Sequence, residues 1–424
     1  MISDSLCVFS LDADTDLRQV EENLLESAYA CQEVRVSIVE QIFFQGSRTR
    51  TDQMVSFLQT LFRVEPRIEK LTFDSGLTSF SNVLPVEVLA VALMEGKALQ
   101  RIDLSYVKIQ FRNDNLQWLQ DNEAKSQLRQ CCLDRASLLI KDHDDNPRHP
   151  PEEMTLDPLI SMLLQTCPRL AWLTICCSDA SGTLTEPTLE SLAMAPSLRE
   201  LMLRNFDLSC QNTVSFLAAL QNHSQLGRLT FPTRLTLSVA WAVARYLGSP
   251  IALQDLTLTV NQFADDDDDD DDDSTMEETT TQQHILHVIA NALLVNPTLQ
   301  SFRLRGSAKI PANSQQIFAA MLRRNYTLQY LTIQNDTATT NCTDNIMKSR
   351  DAAYNIQLYL KLNRYGRQSL LAHEQVSRES WVDAIVEFAT DLNCLFYLLQ
   401  TNPSLCSDGE GRCRLPKGGI PSHK

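Results

Sequence analysis

Leu253-Gln-Asp-Leu256-Thr-Leu258-Thr-Val-Asn261-Gln-Phe263 sets leucines at the first, fourth and sixth places, asparagine at the ninth and an aromatic at the eleventh. Around Leu256 and Leu258 the alternation is that of a short strand sending every second side chain into a core, and Leu253 fills the same core from the turn before. Working outward, Leu198/Leu201/Leu203 and Leu328/Leu331/Ile333 repeat the spacing closely. Ile68/Leu71/Phe73, Leu99/Ile102/Leu104, Leu128/Cys131/Leu133, Leu170/Leu173/Ile175, Leu226/Leu229/Phe231 and Leu299/Phe302/Leu304 repeat it with other apolar residues, and Cys31/Val34/Val36 is a weaker tenth copy.

The middle residues of the nine clear copies are 27 to 31 residues apart in six of eight intervals, so the chain is periodic. The two long intervals each hold an insertion: a charged, proline-rich run from Lys141 to Pro151, and nine consecutive aspartates, Asp265 to Asp273. Between copies the apolar spacing becomes helical: Ile285/Ile289/Ala292/Leu293, Ala240/Val243/Ala244/Leu247 and Ile317/Phe318/Met321/Leu322 each mark one helix face. A single strand–helix unit cannot bury its apolar side, so neighbours must stack.

The pattern resembles that of leucine-rich repeat proteins, and a period near 28 with long helices resembles the ribonuclease-inhibitor-like subtype. The resemblance implies an α/β solenoid, a horseshoe with parallel strands on the concave face and helices on the convex face. It spans roughly residues 31 to 340, although the ninth-position asparagine occurs only at Asn261, with Val107, Ala136, Ser178, Phe206 or Ser307 elsewhere. Beyond it, Trp381, Ala384, Ile385, Phe388, Leu392, Leu395, Phe396 and Leu399 predict one long helix of about five turns. Leu362-Asn-Arg-Tyr-Gly-Arg367, with the later Leu395 to Leu405 segment, is similar to the cap of a leucine-rich repeat family abundant in unicellular algae. The expected organisation is therefore an N-terminal cap over 1–30, a solenoid over 31–344 with a disordered acidic insertion at 264–282, a helical C-terminal cap over 345–406 and a disordered tail over 407–424.

Composition narrows the function. The 424 residues are 43% hydrophobic and carry a net charge of −16, of which the aspartate run supplies nine, leaving −7 without it. No dense block of Lys and Arg is present to neutralise phosphates, so nucleic acid is not expected as a partner. Twelve glycines leave little room for a nucleotide loop, and twelve cysteines are too dilute for a disulfide scaffold. No apolar stretch reaches the length of a bilayer span, and the first residues lack a basic leader, so an intracellular, cytoplasmic chain without membrane association is expected.

The side chains alternating with the leucines would stand on the concave face, and Arg101, Trp172, Arg199, Arg204, Arg228, Arg303, Arg305 and Tyr330 are the expected partner-binding residues. Arginines and aromatics supply most of the binding energy at protein interfaces. The aspartate run reads as a solvated insertion, with an anionic arm competing for the arginines as a sharper alternative. His284 and His287 lack a third metal ligand, and Cys131-Cys132 and Cys176-Cys177 lack zinc-site spacing, so no metal and no cofactor are expected. Leu84-Pro85-Val-Glu-Val-Leu-Ala-Val-Ala-Leu93 is similar to the opening of an F-box, yet it stands where the repeat requires a helix. With no nucleophile, metalloprotease, P-loop or kinase signature, the expected function is non-catalytic protein binding. Two other readings stay open: a GTPase-activating protein of the Ran type, and a substrate-recognition subunit of a ubiquitin ligase.

Overall fold

A computed structural model of the chain describes residues 6–11, 19, 33–38, 48–74, 83–112, 126–141, 152–177, 182–263, 275–306, 310, 313–335, 346–364, 367, 385–386, 388–389 and 391–401. Among the described residues its main sheet has eleven strands: β1 (Leu6–Leu11), β2 (Glu33–Ile38), β3 (Lys70–Asp74), β5 (Arg101–Ser105), β7 (Gln130–Asp134), β10 (Trp172–Cys176), β11 (Glu200–Arg204), β12 (Arg228–Leu235), β13 (Asp255–Phe263), β14 (Ser301–Gly306) and β15 (Tyr330–Asn335). They lie in that order, each parallel to the next. Parallel neighbours require a crossover, and the expected helices supply most of them. They are α1 (Arg48–Val64), α2 (Val86–Glu95), α3 (Asp157–Thr166), α4 (Glu186–Met194), α5 (Cys210–Leu220), α6 (Leu237–Leu247), α7 (Thr275–Val295), α8 (Ser314–Leu322), α9 (Ile346–Arg364) and α10 (Leu392–Thr401). The result is a repeat-like α/β fold.

The nine triplets hold the core. All their residues are buried except Leu331 and Ile333, half-buried on β15, the last strand in the order. The helix faces centred on Ile289, Val243 and Phe318 are buried against them. Two helix starts are fixed by their own hydroxyls: Ser209 accepts from the Asn212 N–H at 3.1 Å and Thr236 from the Val239 N–H at 3.3 Å.

Neighbouring coils are joined by a continuous ladder just before the strands. The Glu69 carbonyl accepts from both the Gln100 and Arg101 N–H groups at 2.8 and 3.0 Å, and the same two-for-one contact recurs at Gln100, Arg129, Ala171, Arg199, Gly227, Gln254 and Gln300. On the far side the ladder survives without asparagine. Val107, Ala136 and Phe206 fill the ninth position as buried apolar residues, while Tyr106, Arg135 and Asn205 just before them take φ of 57°, 53° and 56°. That left-handed turn lets the Tyr106 N–H reach the Asp134 carbonyl at 2.8 Å and the Arg135 N–H reach the Cys176 carbonyl at 2.6 Å. Farther along, Gly306 admits the Val260 backbone so closely that a Cβ there would lie 1.9 Å from the Val260 carbonyl oxygen.

A third set of bonds ties helix ends together. Asn296 Nδ2 donates to the Leu247 carbonyl at 2.6 Å, and its Oδ1 accepts from the Leu299 N–H at 2.7 Å. His223 occupies the corresponding place two coils earlier, with Nε2 2.8 Å from the Ala195 carbonyl and Nδ1 accepting from Leu226. Asn325 repeats the arrangement one coil later, and Asn363 on α9 donates to the Asn325 and Leu328 carbonyls at 3.1 and 2.8 Å. Arg364 Nε then takes the Gln329 carbonyl at 3.1 Å, the next rung after the strand ladder. Arg367, 1% exposed, donates to the Leu322 and Arg323 carbonyls at the end of α8 and to Tyr397, with Tyr326, Tyr359 and Tyr397 rings 4.6 to 5.3 Å from its guanidinium.

Four features add to the expected organisation or depart from it. The first thirty residues include β1, which extends the main sheet beyond β2. A second sheet was not anticipated: β4 (Val83–Pro85), β6 (Lys108–Arg112), β8 (Ser137–Lys141) and β9 (Glu152–Met154), with β9 antiparallel to β8. The proline-rich insertion departs from the end of β8 and returns into β9, with 142–151 outside the described residues. Residues 275–282 of the acidic insertion expected over 264–282 lie in α7, which runs from Thr275. Asp265 to Asp273 and 407–424 lie outside the described residues. Finally, the long C-terminal helix is broken. A turn at Phe388–Ala389 precedes α10, and Asp391 restarts the helix by accepting from the Cys394 N–H at 3.2 Å. No helix among the described residues is long and apolar enough to cross a membrane.

Candidate functional site

Because strands alternate, the residues between the core leucines form three rows on the opposite face of the main sheet. Strand register aligns them. The first row runs Lys70, Arg101, Gln130, Trp172, Glu200, Arg228, Asp255, Ser301, Tyr330. The second runs Thr72, Asp103, Cys132, Thr174, Met202, Thr230, Thr257, Arg303, Thr332. In the third, Asp74, Ser105, Asp134, Cys176 and Arg204 lead, and Thr259, Arg305 and Gln334 close it on β13 to β15.

Seven of the eight expected binding residues stand in these rows. Arg199 does not: it is exposed just before β11, where its carbonyl serves the strand ladder. Trp172 is half-buried on β10 and Tyr330 is 50% exposed on β15. The Arg364 guanidinium lies 4.5 Å from the centre of the Tyr330 ring, covering part of it.

The arginines divide by charge environment. Arg101 is bound to Asp103 at 2.9 Å, and Lys70 approaches the same carboxylate at 3.8 Å. Arg228 bridges the flanking strands, 3.2 Å from Glu200 and 3.4 Å from Asp255. Arg204, Arg303 and Arg305 are exposed and make no ion pair among the described residues. The register places Arg303 and Arg305 beside Tyr330 and separates them from Arg101 and Trp172 by several strands.

Two thiols share this face. Cys132 is pushed up to about 11 by burial and by Asp103 and Asp134, and Cys176 is raised by burial and by Asp134. Both are protonated at neutral pH, which is unfavourable for a nucleophile or a metal ligand. Among the described residues no group of three His, Cys, Asp or Glu is placed to hold a metal ion. His284 and His287 are exposed on α7, beside an open groove of about 360 Å³ lined by Trp241 and Asn291. Leu84, Val86, Leu89 and Leu93 of the F-box-like stretch are buried in the main core.

Sequence reasoning missed Glu200, Asp255 and Asp103 as the counterions of its chosen arginines, and Arg364 as the cation on Tyr330. The first two carry a readable signal, because each directly precedes the middle leucine of its triplet, as Arg228 does.

No family model matches the chain, and no curated protein does. Among solved structures it is similar to the leiomodin-1 actin-binding site 2, at 14% identity and a TM-score of 0.27, over 51% of this chain and 94% of that one. That likeness is too slight to transfer architecture or role.

Proposed function

We propose that the chain is a non-catalytic protein-interaction module, a leucine-rich-repeat horseshoe of the ribonuclease-inhibitor-like subtype, closed by a helical C-terminal cap. It docks a protein partner on the concave face of its parallel strands. The observation that carries this reading is the register itself. Polar side chains from nine successive strands, β3 to β15, stand in shared rows, with Arg204, Arg303 and Arg305 exposed and unpaired among the described residues and Trp172 and Tyr330 on the strands that flank them, β10 and β15. Contiguous polar rows with a few arginine and aromatic anchors are the composition from which specific interfaces draw their energy. The capping role rests on Asn363, Arg364 and Arg367, which take carbonyls that would otherwise be left open at the end of the array.

The test is the double substitution Arg204→Glu with Arg303→Glu. Both residues are exposed, so the thermal midpoint should stay within about 2 °C of wild type, as for substitutions away from the core. Capture of the best binding partner should be abolished. Undiminished capture by the folded double variant excludes this face.

A further inference from the structure

Resting on the docking reading above, we infer that the β13–β15 end of the open face is a subsite for an acidic, extended peptide segment, with Arg303 and Arg305 each receiving one carboxylate.

Arg303 and Arg305 have no carboxylate partner among the described residues. On the same face Lys70 and Arg101 share Asp103, and Arg228 holds Glu200 and Asp255, whereas Arg204 stands alone on β11 and only Arg303 and Arg305 form an adjacent unpaired couple among the described residues. Arg303 and Arg305 are flanked in register by Thr257 and Thr332, and by Thr259 and Gln334. These neighbours offer hydroxyl and amide groups and no charge. Asp255, one row away on β13, is already engaged by Arg228. On the other side, Arg364 over Tyr330 adds a third cation. A chain with a net charge of −16 thus keeps a local positive site that has no counterion among the described residues.

The spacing then selects the ligand. Arg303 and Arg305 are two residues apart on one strand, with Leu304 between them turned into the core, so their side chains rise about 7 Å apart on the same face. An extended peptide carrying acids at i and i+2 presents its carboxylates at that same interval. A guanidinium fork reaching up and a carboxylate reaching down span about 10 Å, the usual distance between facing extended layers. Acids at i and i+1 fall on opposite sides of an extended segment, and only one of them would reach this pair.

Two fluorescein-labelled peptides of equal composition and charge test this: (Glu-Ser)6, which has acids at i and i+2, and (Glu-Glu-Ser-Ser)3, which has none at that interval. Each is titrated with the full chain by fluorescence anisotropy at low ionic strength. The alternating peptide should bind about fivefold more tightly, the scale of one exposed charge pair. Arg303→Gln and Arg305→Gln should each remove the preference, whereas Arg101→Gln, whose charge Asp103 already holds, should leave it in place. Equal binding of the two peptides overturns the inference, as does a preference that persists in both the Arg303→Gln and Arg305→Gln chains. If neither peptide binds while the Arg204→Glu, Arg303→Glu chain still loses its protein partner, the acidic chemistry is wrong and the docking face stands.

Discussion

Asn325 Nδ2 donates to the Leu293 carbonyl at 2.7 Å, so a side chain at the end of one coil closes the last turn of the helix in the coil before it. Its Oδ1 accepts from the Thr327 and Leu328 N–H groups at 3.1 and 2.8 Å, which fixes the turn that delivers Leu328 to the core. With the residue 3% exposed, water cannot replace these bonds. Asn325→Ala should cost about 2 to 4 kcal/mol, because three backbone groups lose their partners at once. Exposed Asn222→Ala should stay within about 0.5 kcal/mol of wild type. Chemical denaturation of both variants measures the difference.

Arg367 carries a buried charge with no carboxylate paired to it among the described residues. Its guanidinium is balanced by the Leu322 and Arg323 carbonyls, at the negative end of α8, and by the faces of three tyrosines. A lysine ammonium cannot span both carbonyls while lying flat against the rings. Arg367→Lys should therefore destabilise the C-terminal helices by about 2 to 4 kcal/mol, and Arg367→Met by about 1 to 3 through the carbonyls left unpaired. Hydrogen exchange over α9 and α10 should quicken in both variants while the β10–β13 amides keep their protection.

The leucine triplets were legible because burial imposes one spacing on every coil, and eight of the nine reach the core complete. Asn296-Pro-Thr-Leu299 and Asn325-Tyr-Thr-Leu328 were legible in principle too, since both asparagines stand three residues before a triplet's first leucine. Asn363 was not, because no triplet follows it and its role comes from lying over the last coil. The second sheet is not legible, because Lys108 to Arg112 and Ser137 to Lys141 are short apolar stretches directly after a main strand, where the repeat implies a helix. The charge state of the open face was the least visible. Arg228 is neutralised by side chains 27 and 28 residues away, and the contrast with Arg303 and Arg305, unpaired among the described residues, emerges only once the register is known.

Asp391 makes the C-terminal helices sensitive to acid. Burial alone would raise its pKa, but hydrogen bonds from Cys394 and the Lys361 ammonium at 3.5 Å outweigh that and hold it below the usual aspartate value. A carboxyl depressed on folding stabilises the native state above its unfolded pKa of about 3.9, and that contribution fades as pH falls through the lower native value. The α10 amides should therefore stay protected at pH 5 and exchange faster, relative to the main sheet, below about pH 4. Asp391→Asn should remove this pH dependence. Asp391→Ala should cost about 1 kcal/mol at pH 7 by loss of the helix cap.

Arg228 is the arginine for which sequence and structure give opposite expectations about binding. It stands at the centre of the first row, exposed, with two carboxylates already on its guanidinium. An incoming acid would have to compete with Glu200 and Asp255, so little of its charge is available to a partner. Substitution also leaves those two carboxylates without the cation between them, and their mutual repulsion, screened by solvent, adds a little to the loss of the pair. Arg228→Gln should change stability by no more than about 1 kcal/mol, as for other exposed pairs. In a partner-binding titration it should weaken affinity less than Arg303→Gln does. The reverse order would mean that the partner breaks the Glu200–Arg228–Asp255 bridge on docking and that the centre of the face, rather than its β14 end, carries the energy.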